Sequence, residues 1–111
     1  MQAVSGRHFK VAEALTRGPD PGNLAAAIAR FGDVELEFYA PKDIDPQHPH
    51  TRDELYIIAR GSGVLTVADE DLKFVEGDVL FVPAHAGHRF SEFSDDFATW
   101  VIFYGPEGGA R

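Results

Sequence analysis

The apolar and polar positions of the chain fall into two periodicities. Over residues 8–17, HFKVAEALTR, the apolar residues Phe9, Val11, Ala12 and Leu15 recur at helical spacing, which predicts one short helix. Gly18-Pro19-Asp20-Pro21-Gly22 then breaks it and reads as a linker. From Asn23 onward the texture changes. LAAAIARF runs into Gly32-Asp33, and VELEFYA alternates strictly, with Val34, Leu36 and Phe38 on one face and Glu35, Glu37 and Tyr39 on the other. Period two is the mark of a strand with one buried face. Further short strands follow in ELYIIARG, GVLTVAD, DLKFVEG, DVLFVP, HRFSEFS and FATWVIFYG, separated by turns rich in Gly, Asp, Pro and Ser. Around eight strands with no helix between them predict an all-β sandwich or closed antiparallel barrel.

Composition changes this picture in a few places. Nine phenylalanines in 111 residues lean towards β structure. A chain of that length fits one domain, able to bury about two-thirds of its unfolded surface. Cysteine is absent, which excludes disulfides, thiolate metal sites and a catalytic thiol, and fits a reducing compartment. The net charge of −8 repels phosphate backbones, so nucleic acid is not an expected partner. The acidity otherwise reads as solubility. The first residues carry no secretory-type apolar run, and no stretch approaches the roughly 18 apolar residues of a membrane span. A cytoplasmic protein without a membrane partner is expected.

Candidate chemistry sits in the histidines. His48 and His50 are two apart, and on a strand residues i and i+2 project from the same face. Glu54 keeps that parity, so a regular strand would point all three into one cavity. Two imidazoles and a carboxylate form a natural donor set for a divalent transition metal. A fourth ligand must come from another strand, and His88 is the best candidate. A His-x-His pair also occurs on solvent-facing strands and in loops, and a single Glu is more often a solvated charge. The surrounding glycines and proline decide between these readings.

HPHTRDELYIIARGSG, residues 48–63, resembles the first motif of the cupin superfamily, with Glu54 after the His-x-His and Gly61 seven residues beyond it. GDVLFVPAHAGH, residues 77–88, resembles the second motif, in which Gly77, Pro83 and His88 occupy the matching positions. The resemblance covers about residues 34–104. It implies an antiparallel cupin or jelly-roll barrel with one metal inside, held by His48, His50, Glu54 and His88. The chain departs from the family pattern at three places. Lys42 and His85 stand where glycines are common, and Glu92 stands where Asn is common. The missing glycines bear on turn geometry rather than on ligation. Gly61-Ser62-Gly63 and Glu76-Gly77-Asp78 remain as sharp turns that help bring His88 back opposite His48 and His50.

The expected organisation is an N-terminal arm and linker over residues 1–22, the barrel over 23–105 and a tail over 106–111. The expected function is a metal-dependent enzyme, oxygenase-like or isomerase-like, acting on a small organic molecule in the cavity. The alternative is a non-catalytic ligand-binding or sensing module. The metal is one divalent ion of iron, manganese, zinc, nickel or copper. Tyr56 shares the parity of His50 and Glu54 and could donate a hydrogen bond there, or simply fill the core. His85 could serve as an acid–base group or be an exposed turn residue. Arg52 could reach the cavity and bind an anion, or cover the rim. Phe90 shares parity with His88 and is expected to line the pocket. A homodimer is expected, with the arm and LAAAIARF supplying the contact.

Overall fold

The computed structural model describes residues 6–22, 24–42, 45 and 49–109. One helix, α1 (Val11–Arg17), precedes eight strands: β1 (Ala25–Phe31), β2 (Val34–Tyr39), β3 (Asp53–Arg60), β4 (Ser62–Val67), β5 (Glu70–Val75), β6 (Val79–Val82), β7 (His88–Ser91) and β8 (Ala98–Tyr104). They form two antiparallel sheets. One has five strands in the order β1-β2-β8-β3-β6, and the other has three in the order β5-β4-β7. This is the mostly-β, jelly-roll arrangement that the strand pattern and the motif resemblance predict. No helix among the described residues is long and apolar enough to cross a membrane.

Register fixes which side chains look inward. Glu54 pairs with Val82 on one side and Phe103 on the other, and Tyr56 pairs with Leu80 and Val101. These rows face the barrel interior, where Glu54, Tyr56, Leu80, Val82 and Val101 are buried. Carried one strand further, the same register sets Glu37 opposite Val101 and Tyr39 opposite Thr99. The inward face of β2 is therefore Glu37 and Tyr39. Alternation alone would give the buried face to Val34, Leu36 and Phe38. The reason is that the outer face of this sheet also carries apolar groups. Phe38 and Ala98 are buried beneath Ala14 of α1, with Val11, Ile28 and Trp100 around them. The N-terminal arm is thus docked on the sheet. Arg17 bonds the Ala27 carbonyl at 2.7 Å, and Asp20 accepts the Ala27 amide at 2.9 Å, so the linker is tied to β1 as well.

The space between the sheets is filled by an aromatic cluster. Phe90 meets Tyr56 and Phe97 at ring-centroid distances of 4.8 Å each and Phe74 at 5.6 Å. Phe90 is a core residue packed against Tyr56, rather than a lining residue of the open cavity described below. Edge-on and tilted aromatic contacts of this kind add to the burial of large apolar area.

The two sheets meet where β3 passes into β4, and there the backbones approach closely. Gly61 has φ 85°, and a Cβ on it would lie 2.8 Å from the Phe97 Cα. A Cβ on Gly63 would lie 2.9 Å from the Phe93 Cα. Gly61 combines a left-handed backbone with a backbone clash, so no side-chain rotation relieves it. We expect Gly61→Ala to destabilise the fold by about 2–3 kcal/mol in urea or thermal unfolding. Gly77→Ala, which has positive φ but open space around its Cβ, should cost less.

Candidate metal centre

Three separated segments converge inside the barrel. Glu54 comes from the start of β3, His88 from the start of β7, and His50 from the loop ahead of β3. Each offers a ligand atom, and these atoms lie within 4.8 Å of one another. Bonds of about 2.1 Å to a common ion place neighbouring ligand atoms about 3.0–3.5 Å apart. The Glu54 Oε1 to His88 Nε2 distance of 3.2 Å already has that value. His48, the fourth expected ligand, lies outside the described residues.

His50 is not on a strand, so the parity that joined it to Glu54 in the sequence does not position it. β3 begins only at Asp53. The loop is held instead by main-chain bonds. The His85 amide donates to the His50 carbonyl at 2.6 Å, and the Gly108 amide donates to the Thr51 carbonyl at 2.7 Å. Phe103 packs edge-on against the His50 ring at 4.9 Å.

The Glu54–His88 contact carries the strongest chemical signal. His88 Nδ1 stands 3.0 Å from the Ala86 carbonyl. A carbonyl only accepts, so Nδ1 bears the proton and a neutral His88 turns the Nε2 lone pair towards Glu54. Both Glu54 carboxylate oxygens are buried and accept no well-formed hydrogen bond. Two acceptors thus face each other in a buried site, an arrangement that is unfavourable unless a proton or a metal ion lies between them. The donor set therefore fits a divalent metal. Burial pushes the Glu54 carboxyl up to about 8, with the Tyr56 hydroxyl pulling the other way and Glu37 and Asp45 adding to the rise.

The remaining sequence candidates fall into different places. Tyr56 is fully buried, with its ring 6.3 Å from that of His88. Arg52 does not reach the cavity. Its guanidinium bonds Glu35 at 2.8 Å, the Gly105 carbonyl at 3.0 Å and the Asp33 carbonyl. It is neither an anion site nor a solvated rim residue but a tie between the start of β3, the β1–β2 turn and the end of β8. His85 has an exposed side chain and φ 68°, and it serves the site through its backbone amide. Glu92 likewise has φ 49°. The family positions that favour Gly and Asn are thus left-handed positions, here filled by residues for which that conformation is costly.

Two residues escaped the sequence reading. Asp45 is buried, accepts the Phe90 amide at 2.8 Å and bonds the Tyr39 hydroxyl. Burial and this bond push the Tyr39 hydroxyl up from its ordinary value. Asp45 thereby pins the loop that precedes His50 to β2 and to β7, two residues past His88. Asp53 accepts the Ala84 amide at 2.9 Å and fixes the turn leading to His88. Neither has a sequence signal beyond being an Asp near a motif.

A cavity of about 410 Å³ opens beside His50 and is also lined by Glu37, Tyr39, Val101 and Phe103. That volume suits a small organic molecule.

The raised Glu54 pKa makes a prediction for the metal-free protein. The folded state holds this proton more tightly than the unfolded chain, whose carboxyl titrates near 4.5. Stability should therefore fall as pH rises from 4.5 towards about 8. Glu54→Gln should flatten that dependence. A divalent metal, which takes the anionic form, should stabilise most at the upper end of the window. Urea unfolding across this pH range, with and without metal, is the measurement.

Comparison with known proteins agrees with the geometry. Residues 35–104 match the family model described as Cupin domain. Over 63 residues the chain is 38% identical to an uncharacterized protein of Streptomyces coelicolor, a match covering 57% of this chain and 60% of that one. It is 36% identical over 56 residues to the acireductone dioxygenase of Drosophila melanogaster, covering 46% and 30%. It is 35% identical over 71 residues to the HTH-type transcriptional activator RhaS of Mannheimia succiniciproducens, covering 62% and 26%. The chain thus spans less than two-thirds of the length of each of these relatives. Among solved structures, a protein of unknown function from Rhizobium leguminosarum superposes with a TM-score of 0.70 at 20% identity, covering 91% of this chain and 98% of that one. A cupin-2 domain containing protein from Shewanella frigidimarina gives 0.66 at 15%, covering 85% and 91%. With the family model spanning residues 35–104, the chain belongs to the cupin family.

Proposed function

We propose that the chain is a metal-dependent enzyme, of oxygenase or isomerase type, acting on a small organic molecule in the cavity beside His50. The observation that carries this reading is the buried Glu54 carboxylate, which accepts no well-formed hydrogen bond and stands 3.2 Å from His88 Nε2. Iron, manganese, zinc, nickel and copper all accept imidazole with carboxylate. His48, two residues before His50, is the fourth ligand in this proposal. When bound, the metal supplies a Lewis acid and template, and in the case of iron also a means of activating dioxygen. The protein's own groups do the rest. Phe103 and Val101 wall the cavity against water, and the Tyr56 hydroxyl steadies Glu54. The similarity to a dioxygenase supports this reading.

A sensing module is the second reading, favoured by the similarity to a transcriptional activator. Turnover of a bound compound, as opposed to binding alone, separates the two.

We also propose a homodimer, built on a surface other than the one expected of the arm and LAAAIARF. There α1 of the same chain packs on Ile28 of β1, although Leu24 and Phe31 remain exposed. A second exposed apolar surface lies at the other edge of the five-stranded sheet, where Val79 is 59% and Phe81 48% exposed beside Leu55 and Ile57. Contiguous apolar surface of this kind marks an association site.

Metal analysis of protein purified anaerobically should find close to one divalent ion per chain. His88→Ala should lose most of it while keeping a folded barrel, because the aromatic core does not depend on metal. Full metal content in the purified variant would sink the assignment. Light scattering at tens of micromolar should give a dimer mass, and Phe81→Lys should shift it towards monomer. A monomer mass for the unaltered chain would remove the dimer proposal.

A further inference from the structure

Among the described residues, the ionisable groups lining the cavity beside His50 are, besides His50 and Tyr39, the carboxyls of Glu37 and Asp20, with no Lys or Arg. Asp20 is already engaged by Arg17 at 2.8 Å and by the Ala27 amide at 2.9 Å. The Tyr39 hydroxyl is bonded to Asp45, which leaves it no proton to offer a ligand carboxylate. Glu37 is different. It projects inward from the middle of β2, opposite Val101, and Val101 lies opposite Tyr56. It therefore shares the inner face with Glu54, which lies two strands over and two residues along, roughly 12 Å away at the backbone. Glu37 is half-buried, and among the described residues none forms a hydrogen bond or ion pair with its carboxylate. Burial, with the charges of Glu35 and Asp20, pushes its carboxyl up.

A carboxylate in such a position leaves acceptor capacity facing a cavity whose other walls are largely apolar: Leu24, Ala25, Val101 and Phe103. A ligand that donates to it gains a charge-assisted hydrogen bond. A ligand carboxylate or phosphate would meet the like charge of Glu37, and the one cation beside the lining among the described residues, Arg17, is already paired with Asp20.

We propose that the cavity selects a small organic cation, an amine whose ammonium group is bound by Glu37 while an oxygen at its other end reaches the His50, Glu54 and His88 centre. Glu37 is then the specificity-determining residue. The ammonium half of the proposal stands on the cavity alone; the oxygen half rests on the metal reading above.

Three probes of nearly the same shape test it on the full chain: benzylammonium, benzyl alcohol and benzoate, titrated by calorimetry with and without added zinc. The expected order is benzylammonium first, with benzoate weaker by about tenfold or more. Glu37→Gln should weaken benzylammonium by about tenfold and leave benzyl alcohol unchanged. Glu70→Gln, the same loss of charge on exposed β5, should keep the preference. The proposal is overturned if benzoate binds as well as benzylammonium, if Glu37→Gln retains the preference, if Glu70→Gln removes it equally, or if none of the three binds. Elemental analysis of the same samples separates the two readings. Cation preference in protein that takes up neither zinc nor, when offered, iron, manganese, nickel or copper removes the metal assignment and leaves Glu37 in its role. Bound zinc with benzoate preferred removes the role of Glu37 alone.

Discussion

The contact between Glu54 and His88 organises this molecule. A carboxylate and an imidazole lone pair face each other at 3.2 Å in a site closed to solvent. Nothing local could hold them there. They lie on different sheets and 34 positions apart in the chain. The barrel must close for the pair to form, and the closing is done by the aromatic cluster around Phe90. Phe90 shares a short strand with His88, and Tyr56 shares one with Glu54. The edge-on Phe90–Tyr56 contact at 4.8 Å therefore sets the distance between the two ligands from one layer below. Core packing and site geometry are one constraint here, because interiors packed to crystal-like density transmit position from layer to layer.

His50 needs a separate device, since its loop has no sheet partner to fix it. That device is the pair of main-chain bonds from His85 and Gly108, and around the loop and elsewhere aspartates serve as backbone acceptors. Asp45 takes the Phe90 amide, Asp53 the Ala84 amide, Asp20 the Ala27 amide and Asp78 the Val75 amide. Each satisfies a main-chain donor: Val75 at the end of β5, Ala84 in the turn after β6, Phe90 within β7 and Ala27 beside the register shift of β1. Part of the acidity that reads as solubility in the composition is thus spent inside the structure. Hydrogen bonds to a charged acceptor are stronger than neutral ones. Carboxylates are therefore apt for loops that must hold a ligand residue without a ladder of their own.

These internal uses explain which parts of the molecule were legible in the sequence. The strands were, because period-two alternation and turn residues are local signals, and each of the eight falls in or beside the segment that alternation marked. Glu54 and His88 were legible through their spacing to Gly61, Gly77 and Pro83. The inner face of β2 was not. Its apolar residues face outward because α1 covers Phe38, and no single strand reveals which of its faces another element will cover. Asp45 was not legible for a similar reason: its partners, Phe90 and Tyr39, are brought to it by the fold. Arg52 shows the limit of parity arguments. Residues 51 and 52 form a bend ahead of β3, so alternation counted back from Glu54 does not hold, and its guanidinium turns to Glu35. His85 and Glu92 carried a signal that could have been taken further. A residue that replaces Gly or Asn at a family position often inherits the positive φ, and both do.

The inward carboxylates bear on what the barrel is for. Glu37 and Glu54 share one interior face, and each is driven towards its neutral form by burial, with Glu37 adding to the rise at Glu54. An apolar residue at either position would remove that cost, and replacing buried charges with well-packed hydrophobic groups is often neutral or stabilising. The core clusters around Phe90 and Phe38 show that the fold has ample apolar packing without them. The two carboxylates are therefore a local departure from consistency between pattern and fold, of the kind that marks a working site. A divalent ion at Glu54 and a donor at Glu37 would each relieve one of them. Because both act on the same interior, relief at one lowers the cost at the other. A metal at Glu54 makes the anionic form of Glu37 easier to keep, and that form is the one able to hold a cation. Metal loading at Glu54 and the charge state of Glu37 are coupled in this way through electrostatics alone, with no movement of the barrel required.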